Sequence, residues 1–277
     1  MRRLVHPGPA IPERTRSVPC RAKPLTLRLP AGPSVLAAAH EALRAEGCEG
    51  GYVRIGPARM APLRYVIPAG APGDGHAAWY SETFAFDAPC EVEEAVMFVG
   101  RRDGEPFVHC HGIWRTPEGR RMGHLLPAES VLHEAVDARG WGVSGAMLEV
   151  HDDPETRFRL FSPQPTEEAT DGRPALLATV RPNEEIGSAI EGILRHHGIA
   201  RAEICGIGSL VGAEFEDRPP VESYATEVLV RNGRVTPEGC ALDVAIVGMD
   251  GKISEGRLAR RRNPVCVTFE LLILGQG

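Results

Sequence analysis

No apolar run in this chain approaches the roughly 18 residues that a membrane-spanning helix needs, so no membrane partner is expected. The first stretch, MRRLVHPGPAIPERTRSVPCRAKP, has two early arginines but no continuous apolar segment, which argues against a secretory signal and makes the cytoplasm the expected compartment. The seven cysteines (20, 48, 90, 110, 205, 240, 266) include no CxxC pair. Odd in number and scattered, they read as reduced and mostly buried. No P-loop and no GxSxG occurs, and LHEAV lacks the second histidine of a metalloprotease helix. GIGSLVG has the spacing GxGxxxG and runs into another strand, so it is not a dinucleotide fingerprint.

What is present is the composition of a soluble globular protein, with 277 residues, 43% hydrophobic and 25% charged. That length suffices for one large domain or two of ordinary size. Residues 1–23 hold six Lys/Arg and one acid, and they read as a flexible basic Pro/Arg tail. The remainder has 25 basic and 36 acidic residues, a net of −11. An acidic body is a poor match for phosphate backbones and argues against a nucleic-acid partner.

One pattern occurs twice. LRLPAGPSVLAAAHEALRAEGCEGGYVRIG (27–56) and ATVRPNEEIGSAIEGILRHHGIARAEICGIG (178–208) each read strand, turn, amphipathic helix, glycine stop, strand. Ser34 and Asn183 are the expected helix caps, and Gly47 and Gly198 the stops. Downstream, 93–126 matches 225–259 as strand, turn, strand, turn, strand. The copies end in the apolar strands GAMLEVHD and CVTFELLIL, each carrying one glutamate, Glu149 and Glu270. The expected fold class is α+β, two similar domains, each a mainly antiparallel β-sheet with a packed helix. The expected boundaries are 24–161 for the first domain, 162–174 for a polar linker and 175–277 for the second.

The order strand, helix, IG, strands, HxH, turn, GH-L resembles the plant-and-prokaryote conserved (PPC) domain, and HCHGIWRTPEGRRMGHL carries the first copy's motif. The resemblance covers about 25–160 and 175–275. Met122 stands where the family has the first of two glycines, and the stretch from turn to histidine is one residue shorter. The resemblance implies a sheet with a packed helix, a trimer-related homo-oligomer, and zinc on the three histidines of prokaryotic members. Plant relatives join this domain to AT-hooks, and no such segment exists here.

The histidines also argue for themselves. Strand alternation puts His109 and His111 on one face about 7 Å apart. With TPEG as a four-residue loop, Arg115 faces Arg120 and His111 faces His124, so three imidazoles can converge on one ion. Such a set suits Zn²⁺, with Ni²⁺ or Fe²⁺ as alternatives, and leaves a fourth position open. The plain alternative is two histidines flanking a strand and a third at a turn. In the second copy the corresponding positions are Ala241, Asp243 and Arg257, a degenerate site in which Asp243 and Arg257 are expected to pair.

Around the metal, Glu94, aligned with Glu227, is the candidate general base. Arg115, Arg120 and Arg121 are candidates for holding a small anionic ligand, and Trp79, Tyr80 and Trp114 for lining a pocket. Three functions compete. The first is a metal-dependent hydrolase or lyase, the second a DNA-associated regulator, and the third a non-catalytic module binding metal or ligand in an oligomer.

Overall fold

The computed structural model describes residues 2–167 and 171–276. β1 (Thr15–Leu29), α1 (Val35–Ala45) and β2 (Gly50–Ile55) open the chain. Five short strands follow, β3 (Ala58–Met60), β4 (Leu63–Val66), β5 (Pro68–Ala69), β6 (Trp79–Tyr80) and β7 (Phe84–Phe86). Longer strands come next, β8 (Cys90–Arg102), β9 (Glu105–Thr116), β10 (Gly119–Leu125) and β11 (Val136–Ser144). A hairpin of β12 (Ala146–Asp152) and β13 (Arg159–Pro165) precedes β14 (Arg173–Val180), α2 (Ile186–His196) and β15 (Ala202–Leu210). The chain closes with β16 (Thr226–Thr236), β17 (Gly239–Gly248), β18 (Ile253–Arg257) and β19 (Val265–Gly275).

Seventeen strands join in one sheet, almost wholly antiparallel, with two helices among the described residues, so the architecture is α+β. Pairings give the strand order β1-β11-β2-β8-β9-β10, and the second half repeats it as β14-β19-β15-β16-β17-β18. The counterpart of β19 is therefore β11. This corrects the expected match of GAMLEVHD with CVTFELLIL, because β12 instead lies parallel to β8 at Glu149 and Val150. Strand β1 joins the halves, its residues 15–22 pairing with β14 and 21–29 with β11.

A sheet this long curls, and its apolar faces find each other. Ala95, Met97 and Val99 of β8 pack in one core with the α1 stripe of Val35, Ala39 and Leu43. The alternate residues Val96 and Phe98 pack in a central layer with Ile207, Leu229, Ala245 and Leu272 from the second half. A third core holds Ile186, Ile190 and Leu194 of α2 against Val228, Val230, Phe269 and Leu271. Period-two alternation thus gives each long strand one helix-facing side and one side buried in a seam between sheet halves.

The helices start and stop for local reasons. Ser34 accepts from the Ala37 N–H at 3.2 Å, and Gly47 leaves α1 at φ +76°. For α2 the cap is Glu185, accepting from the Ser188 N–H at 2.7 Å, rather than the expected Asn183. Asn183 is occupied elsewhere, exchanging two hydrogen bonds with the backbone of Leu4.

That contact belongs to a wider correction. The flexible tail expected over 1–23 is pinned to the body: Thr15 onward is strand, the buried His6 Nε2 lies 2.9 Å from the Cys266 carbonyl oxygen, and Arg14 makes a two-pronged contact with buried Glu155 at 2.7 and 3.0 Å. Arg2 pairs with Glu222, and Arg14 with Glu155 and Glu184, of this same chain. Of the linker expected over 162–174, residues 162–165 belong to β13 and 173–174 to β14, while 168–170 fall outside the described residues. All seven cysteines are free and buried. No helix among the described residues is long and apolar enough to cross a membrane.

Replacing Arg14 leaves the buried Glu155 carboxylate with the Ile11 N–H at 3.2 Å and, as its counter-ion, the longer Arg181 contact of 3.6 Å. Arg14→Ala is expected to lower the unfolding free energy by about 2–3 kcal/mol in urea titrations. Arg28→Ala, which breaks an exposed pair with Asp137, is expected to change it by less than about 1 kcal/mol.

Candidate metal centre

The β9–β10 hairpin turns at Pro117-Glu118, with the Thr116 hydroxyl accepting from the Glu118 N–H and donating to the Gly119 carbonyl, both at 3.2 Å. Gly119 takes φ +114°, which only glycine adopts without strain. This closure produces the register the loop length predicts, Arg115 opposite Arg120 and His111 opposite His124. Alternation sends Val108, Cys110 and Trp114 to the α1 side and His109, His111 and Ile113 to the seam. The glycine of GH-L has a packing role, because a Cβ on Gly123 would sit 2.4 Å from the Val66 carbonyl oxygen of β4.

The three imidazoles converge. One ligand atom from each of His109, His111 and His124 lies within 4.8 Å of the others, and His109 Nε2 is 3.0 Å from His111 Nε2. Two nitrogens on one tetrahedral zinc stand roughly 3.4 Å apart, so the 3.0 Å His109–His111 spacing is near that of a shared ion, while the 4.8 Å overall spread has to contract to hold one. His111 is fully buried, and its Nδ1–H donates to the Val228 carbonyl at 2.8 Å. The His109 Nδ1–H donates to Glu270 Oε2 at 3.1 Å. Both rings therefore present Nε2 as a lone pair, and Glu227 Oε2 adds another acceptor 2.9 Å from His111 Nε2. Three electron-rich atoms facing one another in a buried site need a cation or a proton among them.

The charges respond accordingly. Burial opposes protonation of His109, but Glu270 and Glu227 together outweigh it and raise its pKa above 6.5. Burial, then His109 and His111, hold His124 well below 6.5, as a neutral ligand requires. The Tyr80 hydroxyl, 3.5 Å from His124 Nδ1, is kept a neutral phenol by burial and by the two glutamates.

Several expected participants lie elsewhere. Glu94, the candidate base, is held by Arg54 at 2.7 Å and by Arg231, and it does not line the cavity beside the histidines. Arg115, Arg120 and Arg121 sit at the far end of the hairpin, where Glu93, Glu255 and Glu118 engage them. Trp114 is buried in the α1 core against Tyr65, whereas Trp79 and Tyr80 do line the cavity. In the second half Asp243 is opposite Arg257, which donates to it from Nε and Nη2 at 2.8 and 3.1 Å, and Ala241 offers no ligand atom.

The residues missed were the second half's carboxylates. Glu270 is 1% exposed within VTFELLIL, a strand apolar on both faces, and an acid there must find a partner across a buried seam. That was a readable signal, although nothing in it named the partner. Glu149, the other strand glutamate, is partly exposed beside His151. In a ring-resolved NMR titration of metal-free protein, His109 is expected to titrate above 6.5 and His124 to stay neutral well below it. An ordinary midpoint for both would contradict the buried geometry.

No family model and no curated protein matches the chain. Among solved structures, a metal-containing protein from Archaeoglobus fulgidus is similar at 23% identity and a TM-score of 0.41, with 51% of this chain and 94% of that one covered. A PPC protein from Pyrococcus horikoshii is similar at 18% identity and a TM-score of 0.41, covering 52% and 94%. A third, described as a candidate DNA-binding protein of Ralstonia eutropha JMP134, is similar at 16% identity and a TM-score of 0.34, covering 50% and 89%.

Proposed function

We propose that this chain is a metal-binding protein built from two fused PPC-like units, about 24–161 and 175–277, with one divalent ion, most naturally zinc, on His109, His111 and His124. The observation that carries this reading is the set of acceptor atoms converging on one point, with the outward nitrogens of His109 and His111 already tied to Glu270 and to the Val228 carbonyl. Imidazole nitrogens of this kind suit zinc, and nickel or iron fit less selectively.

When bound, such an ion supplies Lewis-acid polarisation of an oxygen, the chemistry of hydrolases and lyases. The chain's own residues supply the rest. Glu270 and the Val228 carbonyl fix the tautomers of two ligands. Glu227, 2.9 Å from His111 Nε2, is placed to accept a proton at its Oε2 or to bind the ion directly. Tyr80 contributes a neutral hydroxyl donor beside His124. His111 is completely shielded from solvent, while His109 and His124 border the cavity, so a reacting group would approach from their side. Both glutamates belong to the second unit. That unit carries Ala241, Asp243 and Arg257 at the corresponding positions and completes the first unit's site within one polypeptide.

Elemental analysis of protein purified without a histidine tag is expected to find about one zinc per chain, lost in His111→Ala and His124→Ala. Glu270→Gln is expected to weaken metal affinity by about 10–100-fold in competition with a chelating dye. Glu94→Gln is expected to leave it unchanged. A wild-type chain that takes up no divalent ion after reconstitution would end this reading.

A further inference from the structure

The cavity beside the histidines narrows what the site can receive. It measures about 220 Å³, and five aromatic rings and two imidazoles form part of its wall. Trp79 and Phe158 stack at 5.4 Å between centroids, and Phe107 meets Phe161 edge-on at 5.5 Å. Tyr80 lies against His124 with centroids 5.1 Å apart. An apolar cavity of about 150 Å³ holds benzene, so this one has room for a single substituted ring. Aromatic faces and edges at these spacings favour another flat ring over an aliphatic chain.

Charge then selects among flat molecules. Glu227 and Glu270 border the cavity, and each touches a histidine. Arg159 is the one arginine or lysine in the lining, and its guanidinium is already shared between Asp103 at 2.6 and 3.0 Å and Asp152 at 3.4 Å. The arginines of the hairpin tip are paired with Glu93, Glu118 and Glu255, away from this space. No free cation is therefore offered to an anionic ligand among the described residues. Two carboxylates balance the charge of one divalent ion, so a carboxylate entering this pocket would bring uncompensated charge into a poorly solvated space.

We propose that the cavity binds an uncharged, single-ring aromatic molecule bearing one oxygen or nitrogen donor, with the ring between the Trp79–Phe158 and Phe107–Phe161 pairs and the donor directed at the His109–His124 edge. This rests on the metal reading for the role of the donor, but the ring pocket and its carboxylates exist independently of any ion. The small anionic ligand expected from the hairpin arginines has no counterpart in this lining.

The test compares benzamide with benzoate, two probes of nearly equal shape and different charge, by calorimetric titration of the full-length protein with and without zinc. Benzamide is expected to bind at least tenfold more tightly than benzoate to the zinc-loaded protein. The preference should persist without zinc, where the carboxylates are uncompensated. Phe158→Ala is expected to weaken benzamide at least fivefold while leaving zinc content unchanged. Trp79→Ala, at the more exposed rim, provides a second variant with the same expected direction. Equal or tighter binding of benzoate would overturn the proposal, as would failure of benzamide to bind either form or its indifference to both ring deletions. A protein that holds no zinc but still prefers benzamide would refute the metal reading alone.

Discussion

The structure depends on the burial of two sheet faces against each other. Each long strand already has one side covered by a helix, and its other side is equally apolar, as Val96, Phe98, Leu229 and Leu272 show. Removing both faces from water requires the halves to close face to face. Once they close, any polar residue on those faces must find its partner across the seam, since water cannot serve it. His109, His111, Glu227 and Glu270 are the polar residues at that position, and they find each other.

This constraint explains why the two halves share a strand order yet differ in chemistry. Histidines in the first half need acceptors and a fixed tautomer, and the second half's strands β16 and β19 supply Glu227, Glu270 and the Val228 carbonyl. At the second half's own hairpin, Asp243 and Arg257 satisfy each other at the surface and need nothing from across the seam. The covalent tie through β1, which hydrogen-bonds to both halves, holds the donors and acceptors in one chain. A site divided in this way tolerates little slippage, because a one-residue shift of any contributing strand turns its side chain toward a helix.

The parts of this protein that were legible beforehand are local ones. Hairpin register follows from the length of TPEG and the glycine after it, so the facing of His111 and His124 could be counted from the sequence. Helix α1 announced its cap and stop through Ser34 and Gly47. Errors arose where a distant partner intervened. Asn183 has the side chain of a cap but bonds Leu4, and the basic leader looks like a free tail until Glu155 and Glu184 are placed beside Arg14. Glu94 and Arg120 seemed available because counter-ions of each, Arg231 and Glu255, lie on strands far off in sequence.

By itself the sequence determined the repeated strand–helix–strand pattern, the α+β class and the clustering of three imidazoles on one hairpin. These depend on periodicity and loop length, which act over a few residues. Only the tertiary structure decided that the cluster is completed by Glu227 and Glu270, that Glu94 is neutralised by Arg54 and Arg231, and that the adjoining cavity is lined in part by five aromatic rings without a spare cation. Those outcomes depend on how two apolar sheet faces register across a seam. That registry is a sum of many side-chain contacts between residues distant in the chain, and no local pattern encodes it.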